Sequence, residues 1–182
     1  MNNIVFIHSA GPQENSQGSS PFILNLKKSL TTEYQLRTPK MPDPENPRYI
    51  AWENRLKEEF SKLDGEVILI GHSLGGSVLL KYLSEERCPF NISGLFVLGS
   101  PYWGLEEDWQ FPEFSLSDDF ASRLPDIKQI FLYHSVDDEV VSIAHYEHYI
   151  RRLPEADARK LQRYGHLFKE VPPEFLKDIY SL

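Results

Sequence analysis

The sequence predicts a doubly wound α/β fold: a mostly parallel sheet of about six strands with helices on both faces, joined by right-handed crossovers. Three observations lead there. Unbroken apolar runs stand at residues 4–7 and 67–70, with a further strand-like segment at 92–98, and a run without alternation suits a strand covered on both faces. Between these runs, apolar residues return at helical spacing. One run, 67–70, passes straight into Gly71-His72-Ser73-Leu74-Gly75 and then into a further helical pattern. A glycine-flanked serine therefore stands at a strand-to-helix turn.

In order along the chain, residues 4–7 form the first strand and give way to the loop His8-Ser9-Ala10-Gly11-Pro12 and a polar stretch to Ser20. Ser20-Pro21 starts a helix, with proline where its missing N–H is harmless, and Phe22, Ile23, Leu26 and Leu30 turn toward the sheet. Residues 34–38 are a weaker strand. The stretch from Thr38 to Pro47 holds four prolines in ten residues, so it reads as a surface loop: proline neither continues a helix nor donates to a ladder. Helical spacing returns over 50–63 through Trp52, Leu56, Phe60 and Leu63, and Asp64-Gly65 ends it. Trp52 is expected in the core.

After the Gly71–Gly75 turn comes a helix with Val78, Leu79, Leu80, Tyr82 and Leu83. Residues 92–98 are the next strand, ending at Gly99-Ser100-Pro101. Residues 102–124 then break the rhythm, carrying Trp103, Trp109, Phe111, Phe114 and Phe120 among five acids before Asp119. An insertion over the sheet edge is expected there. A strand at 127–133, a helix at 143–153, a short strand near 160–164 and a final helix at 173–180 complete the alternation. One domain over 1–182, with an aromatic and acidic insertion at 101–124, is the organisation expected for this length.

The formal charge of −8, from 27 acidic and 19 basic residues, repels phosphate backbones and anionic bilayers, which argues against nucleic acid as a partner. No apolar run approaches the eighteen or so residues that cross a bilayer, so no membrane insertion is expected. With a strand beginning within three residues of Met1, no secretory leader is expected. The single Cys88 cannot form an intrachain disulfide. A reducing cytoplasm is the location expected from these features.

Gly71-His72-Ser73-Leu74-Gly75 matches G-x-S-x-G, the nucleophile elbow that lifts a serine hydroxyl above the carboxyl edge of a sheet. Such a hydroxyl needs a base within hydrogen-bond reach, and the base needs a third group to fix its tautomer. In chain order Ser, Asp/Glu, His, the partners come from two late segments. Asp137 and Asp138 follow the 127–133 strand, and His166 follows Gly165 after the last strand. Asp138 is preferred because it stands three residues before Val141, the D-x-x-V spacing of α/β-hydrolases; Asp137 is the alternative. The oxyanion donors expected are the backbone N–H of Leu74 and, from the loop after the first strand, Ala10, with Ser9 as its alternative.

Other residues receive plainer readings. His145 and His148 lie i, i+3 on a helix without a third ligand, so no metal is expected and both read as solvated. His8 and His72 neighbour the site by sequence and are expected to line it, with His72 and Trp103 as substrate contacts. His134 reads as a strand-end residue and Cys88 as a structural thiol.

Lys40-Met41-Pro42-Asp43-Pro44 followed by Trp52, the elbow, Ser135-Val136-Asp137-Asp138 and Gly165-His166-Leu167-Phe168 together resemble small serine hydrolases of the retinoblastoma-binding-protein-9-like type, over nearly the full length. The resemblance implies a minimal α/β-hydrolase fold, a triad of Ser73, Asp138 and His166, and no cofactor. Two departures stand out: the first loop, His8 to Gly11, is poor in glycine, and Ser142 stands where many hydrolases carry proline. The function expected is hydrolysis of a small ester, thioester or amide through an acyl-enzyme on Ser73. Its rivals are acyl transfer to another acceptor, and a non-catalytic protein that binds a partner through residues 102–120.

Overall fold

The computed structural model describes residues 2–182. Six strands, β1 Asn2–Ile7, β2 Tyr34–Arg37, β3 Glu66–His72, β4 Asn91–Leu98, β5 Ile130–Ser135 and β6 Asp157–Leu161, form one sheet in the order β2-β1-β3-β4-β5-β6. Every pairing is parallel. The helices are α1 Ser20–Ser29, α2 Tyr49–Phe60, α3 Leu74–Glu85, α4 Phe120–Arg123, α5 Ile143–Arg152 and α6 Pro173–Tyr180.

Successive strand residues point to opposite faces, which explains why the runs are apolar throughout. Val5, Ile7, Val67, Leu69, Val97 and Leu132 join Trp52, Leu56, Phe60, Val78 and Tyr146 of α2, α3 and α5 on one face. Ile4, Phe6, Ile68, Ile70, Phe96 and Phe131 meet Phe22, Leu26, Phe175 and Ile179 of α1 and α6 on the other. The chain leaves β1 outward to β2 and then returns across it to β3. The crevice at the carboxyl ends of β1 and β3 is therefore the topological switch point, where ligands of open α/β sheets bind.

Several boundaries differ from the sequence expectation, each for a local reason. The last strand lies at Asp157–Leu161, earlier than 160–164; as an edge strand it buries only part of its surface, so no apolar run marks it. Strand β5 begins at Ile130, while Ile127 makes an isolated bridge to Ile92. Leu63 is buried beyond the end of α2. The proline-rich stretch is not wholly superficial: Met41 is 3% exposed within the core, and the Trp52 indole N–H donates to the Pro42 carbonyl at 2.8 Å. One buried side chain thus ties that loop to α2.

The aperiodic segment after β4 forms two short 3-10 turns, Glu107–Trp109 and Pro112–Phe114, before α4. It packs on α3 at the carboxyl end of the sheet. Among the described residues, no helix is long and apolar enough to cross a membrane.

Candidate active site

Ser73 has φ +52° and ψ −121°, a strained conformation for a residue with a side chain. Its N–H donates to Leu98 O at 2.8 Å, so β4 helps to hold the turn. The flanking glycines permit the close approach. A Cβ on Gly75 would lie 2.3 Å from the Ile7 carbonyl oxygen, and one on Gly71 would meet the Gly76 backbone at 2.5 Å. The serine hydroxyl emerges between β3 and α3, at the switch point.

His166 Nε2 lies 3.0 Å from Ser73 Oγ, and its Nδ1 lies 2.8 Å from Asp138 Oδ2. The three sequence-predicted residues are therefore within hydrogen-bond reach of one another. Asp138 accepts two more bonds at Oδ1, from the Val140 and Val141 N–H groups at 2.8 Å each. Burial pushes its carboxyl up, but the bond and charge of His166 and these two amides outweigh burial, and the pKa is lowered. An ionised Asp138 requires the Nδ1–H tautomer of His166, which leaves Nε2 free to accept the serine proton.

Asp137 points elsewhere. Its carboxylate accepts from Ser135 Oγ and from the Gly165 N–H at 3.0 Å, bracing the loop that carries His166.

In the loop after β1, the Ser9 N–H donates to Ser19 Oγ at 2.9 Å. Among the described residues, the Ala10 and Leu74 N–H groups have no protein acceptor. Both residues line a cavity of about 400 Å³ together with Ser73 and His166. Trp103, packed against Trp109, Phe111 and Phe114, shares the lining with Val140, Leu167 and the exposed Glu45. No lysine or arginine lines this space.

The histidine expectations need correction. His72 does not line the cavity: it is 1% exposed, with Nδ1 2.8 Å from Ser19 Oγ and Nε2 2.7 Å from the His166 carbonyl. Side chains alternate across β3, so the residue before the turn points into the layer beneath α1. His8 is likewise buried, and its Nδ1 has no partner. His145 is not solvated either; it is fully buried, accepts from the Tyr102 N–H at Nδ1 (2.8 Å) and meets Glu106 Oε2 at Nε2 (3.0 Å). The half-buried His148 ring lies against Tyr102, with centroids 4.2 Å apart and the planes tilted by 53°.

His134 is near the end of its strand, as expected, one residue before Ser135, with Nε2 2.9 Å from the Val141 carbonyl. Burial pushes the Cys88 thiol up to about 12, which leaves it unreactive. Among the described residues, no cluster of three or more His, Cys, Asp or Glu side chains could hold a metal.

Two contributors escaped the sequence reading. Ser142 Oγ donates to Glu106 Oε1 at 2.8 Å, so with His145 it ties the aromatic segment to α5. The serine in place of proline was the visible hint. Ser19 had no signal at all.

This sheet order, with a serine at the turn after β3, an acid after β5 and a histidine after β6, defines an α/β-hydrolase fold. Residues 18–171 match the family described as Serine hydrolase, and the chain belongs to that family.

Among solved structures, the chain is similar to the ydeN gene product of B. subtilis, with a TM-score of 0.83, 20% identity and all of both chains covered. It is also similar to Est1E from Butyrivibrio proteoclasticus, with a TM-score of 0.68, 14% identity, and 100% of this chain and 88% of that one covered. Over 142 residues it is 32% identical to a Saccharomyces cerevisiae protein described as "Probable phospholipase YOR022C, mitochondrial", covering 65% of this chain. The chain spans only 20% of the length of that relative.

Proposed function

We propose that this protein is a hydrolase of the retinoblastoma-binding-protein-9-like type that cleaves a small, uncharged ester, thioester or amide through an acyl-enzyme on Ser73. The observation that carries the reading is the continuous bond path from Asp138 through His166 to Ser73 Oγ, at 2.8 and 3.0 Å. In this mechanism Ser73 Oγ attacks the carbonyl carbon as its proton passes to His166 Nε2. Asp138 stabilises the imidazolium, and the negative carbonyl oxygen settles on the Leu74 and Ala10 N–H groups. His166 then protonates the leaving group, and water repeats the sequence to release the acid. Each oxyanion donor contributes about 3 to 4 kcal/mol in sites of this kind.

The cavity lining supports the substrate class. Its aromatic wall favours an apolar acyl or leaving group, and a phosphate or carboxylate would meet Glu45 and no cation. A neutral ester therefore suits the site better than the phospholipid that the yeast relative's description names. The aromatic residues suit a pocket wall better than a partner-binding surface, since Phe114 is buried and Trp103 lies against Trp109 and Phe114. The lone thiol of Cys88 fits a cytoplasmic setting.

The test is a panel of p-nitrophenyl esters, with Ser73→Ala as control and a fluorophosphonate probe read by mass spectrometry. We expect labelling at Ser73, loss of turnover by several orders of magnitude in Ser73→Ala, and butyrate or phenylacetate esters cleaved at least ~10-fold better than the hemisuccinate. An unlabelled Ser73 in folded protein overturns covalent catalysis, and equal rates on the hemisuccinate overturn the substrate class.

A further inference from the structure

We propose that Ser19 and His72 act as a positioning pair that holds the proposed oxyanion loop and the His166 loop in register with the nucleophile. This inference rests on the hydrolase reading of the same site.

The direction of every proton in the pair can be worked out. His72 Nε2 lies 2.7 Å from the His166 carbonyl oxygen; a carbonyl only accepts, so Nε2 carries the hydrogen. Nδ1 of the neutral ring is then a lone pair, and Ser19 Oγ, 2.8 Å away, must donate to it. With its single proton spent, Ser19 Oγ accepts from Ser9, from the N–H at 2.9 Å and from the hydroxyl at 3.2 Å. The network runs one way, Ser9 to Ser19 to His72 to the His166 carbonyl, and leaves no member unpaired.

Burial secures that direction. His72 is 1% exposed and Ser19 is fully buried. Desolvation pushes the ring pKa down to about 3, so His72 stays neutral and keeps one tautomer through the neutral range. In a site shielded from water, breaking one link leaves its partner unsatisfied, which gives the arrangement its stiffness.

The two ends of the network lie on the two loops that the chemistry requires. At one end it consumes the Ser9 N–H, which leaves the neighbouring Ala10 N–H to face the cavity. At the other it fixes the backbone of His166, whose ring centroid lies 5.1 Å from that of His72. The pair itself sits on the start of α1 and on the residue before Ser73. Loops from opposite sides of the switch point are thereby referenced to the elbow. A displacement of about 1 Å at either end is enough to lower the rate on the order of 10²-fold.

Ser19→Ala, Ser19→Thr, His72→Gln and the double variant Ser19→Ala/His72→Gln test this. The readouts are kcat and KM on a p-nitrophenyl ester and the Ki of a trifluoromethyl ketone, which forms a tetrahedral adduct. Each is normalised to the fraction of enzyme that a fluorophosphonate titrates, so that unfolded material does not count. We expect Ser19→Ala to lower kcat roughly 10- to 100-fold with KM within about twofold, and ketone affinity to fall in parallel. Ser19→Thr, which keeps the hydroxyl, restores most of kcat. The double variant loses no more than the worse single one, because both break one path.

Unchanged kcat in Ser19→Ala, losses that multiply in the double variant, or a rise in KM alone overturns the proposal. A wild-type protein that no fluorophosphonate labels defeats the hydrolase reading instead, so the two failures are distinguishable.

Discussion

Acid should destabilise this protein through histidines that fold as neutral groups, and His8 isolates the effect. It is 5% exposed, its Nδ1 has no partner, and burial pushes its pKa down from 6.5 to about 4. Between those values the unfolded chain binds a proton that the folded one resists. Stability is therefore full above pH ~6.5 and falls as pH drops toward the folded value. By pH ~4.5 the loss from His8 alone amounts to about 2 to 3 kcal/mol, a large share of the ~5 to 15 kcal/mol that holds a typical domain. His72, lowered to about 3, adds a loss of similar size.

His8→Phe removes one titration while keeping an aromatic ring against Phe6, whose centroid is 6.1 Å away. Urea unfolding at pH ~7.5 and ~4.5 then compares the two proteins. The wild type should lose about 2 to 3 kcal/mol more than His8→Phe over that interval, since His134 and the carboxylates remain in both and His8 is the smallest of the causes acting on His72. Parallel declines would show that His8 protonates freely in the folded state and would refute the reasoning.

The two neighbouring aspartates should separate sharply. Asp138→Asn reverses the tautomer preference of His166 and is expected to lower kcat by about 10⁴-fold. Asp137→Asn, which only loosens the bonds to Ser135 and Gly165, should stay within about tenfold of wild type, and the same ester assay reads both. Gly75→Ala drives a methyl into the Ile7 and His8 carbonyls, at 2.3 and 2.6 Å. Because those atoms are backbone, β1 and its loop must move; we expect about 1 to 3 kcal/mol of destabilisation by urea melt and a kcat loss on the order of 10²-fold.

What the sequence made legible was local. The elbow compresses strand, turn and helix into about ten residues whose types are each dictated by sterics, and the D-x-x-V spacing separates Asp138 from Asp137 within a single turn. The contacts that escaped notice join distant segments. Ser19 and His72 are 53 positions apart, and Glu106 and His145 are 39; each pair meets only because a crossover or an aperiodic segment follows a particular path. His72 was misplaced for the same reason, since adjacency to Ser73 along the chain puts it on the opposite side of the sheet. The edge strand β6 was shifted because a strand with half its surface in water gives no continuous apolar run.

The indole that anchors the proline-rich loop has a use beyond anchoring. Of the three tryptophans in the chain, Trp52 is sealed in the core while Trp103 and Trp109 face the cavity. Intrinsic fluorescence therefore divides into two channels, one steady until the whole structure melts and the other exposed to whatever enters the cleft. With Trp52 replaced by phenylalanine, the remaining emission becomes a built-in optical gauge of occupancy that needs no attached dye.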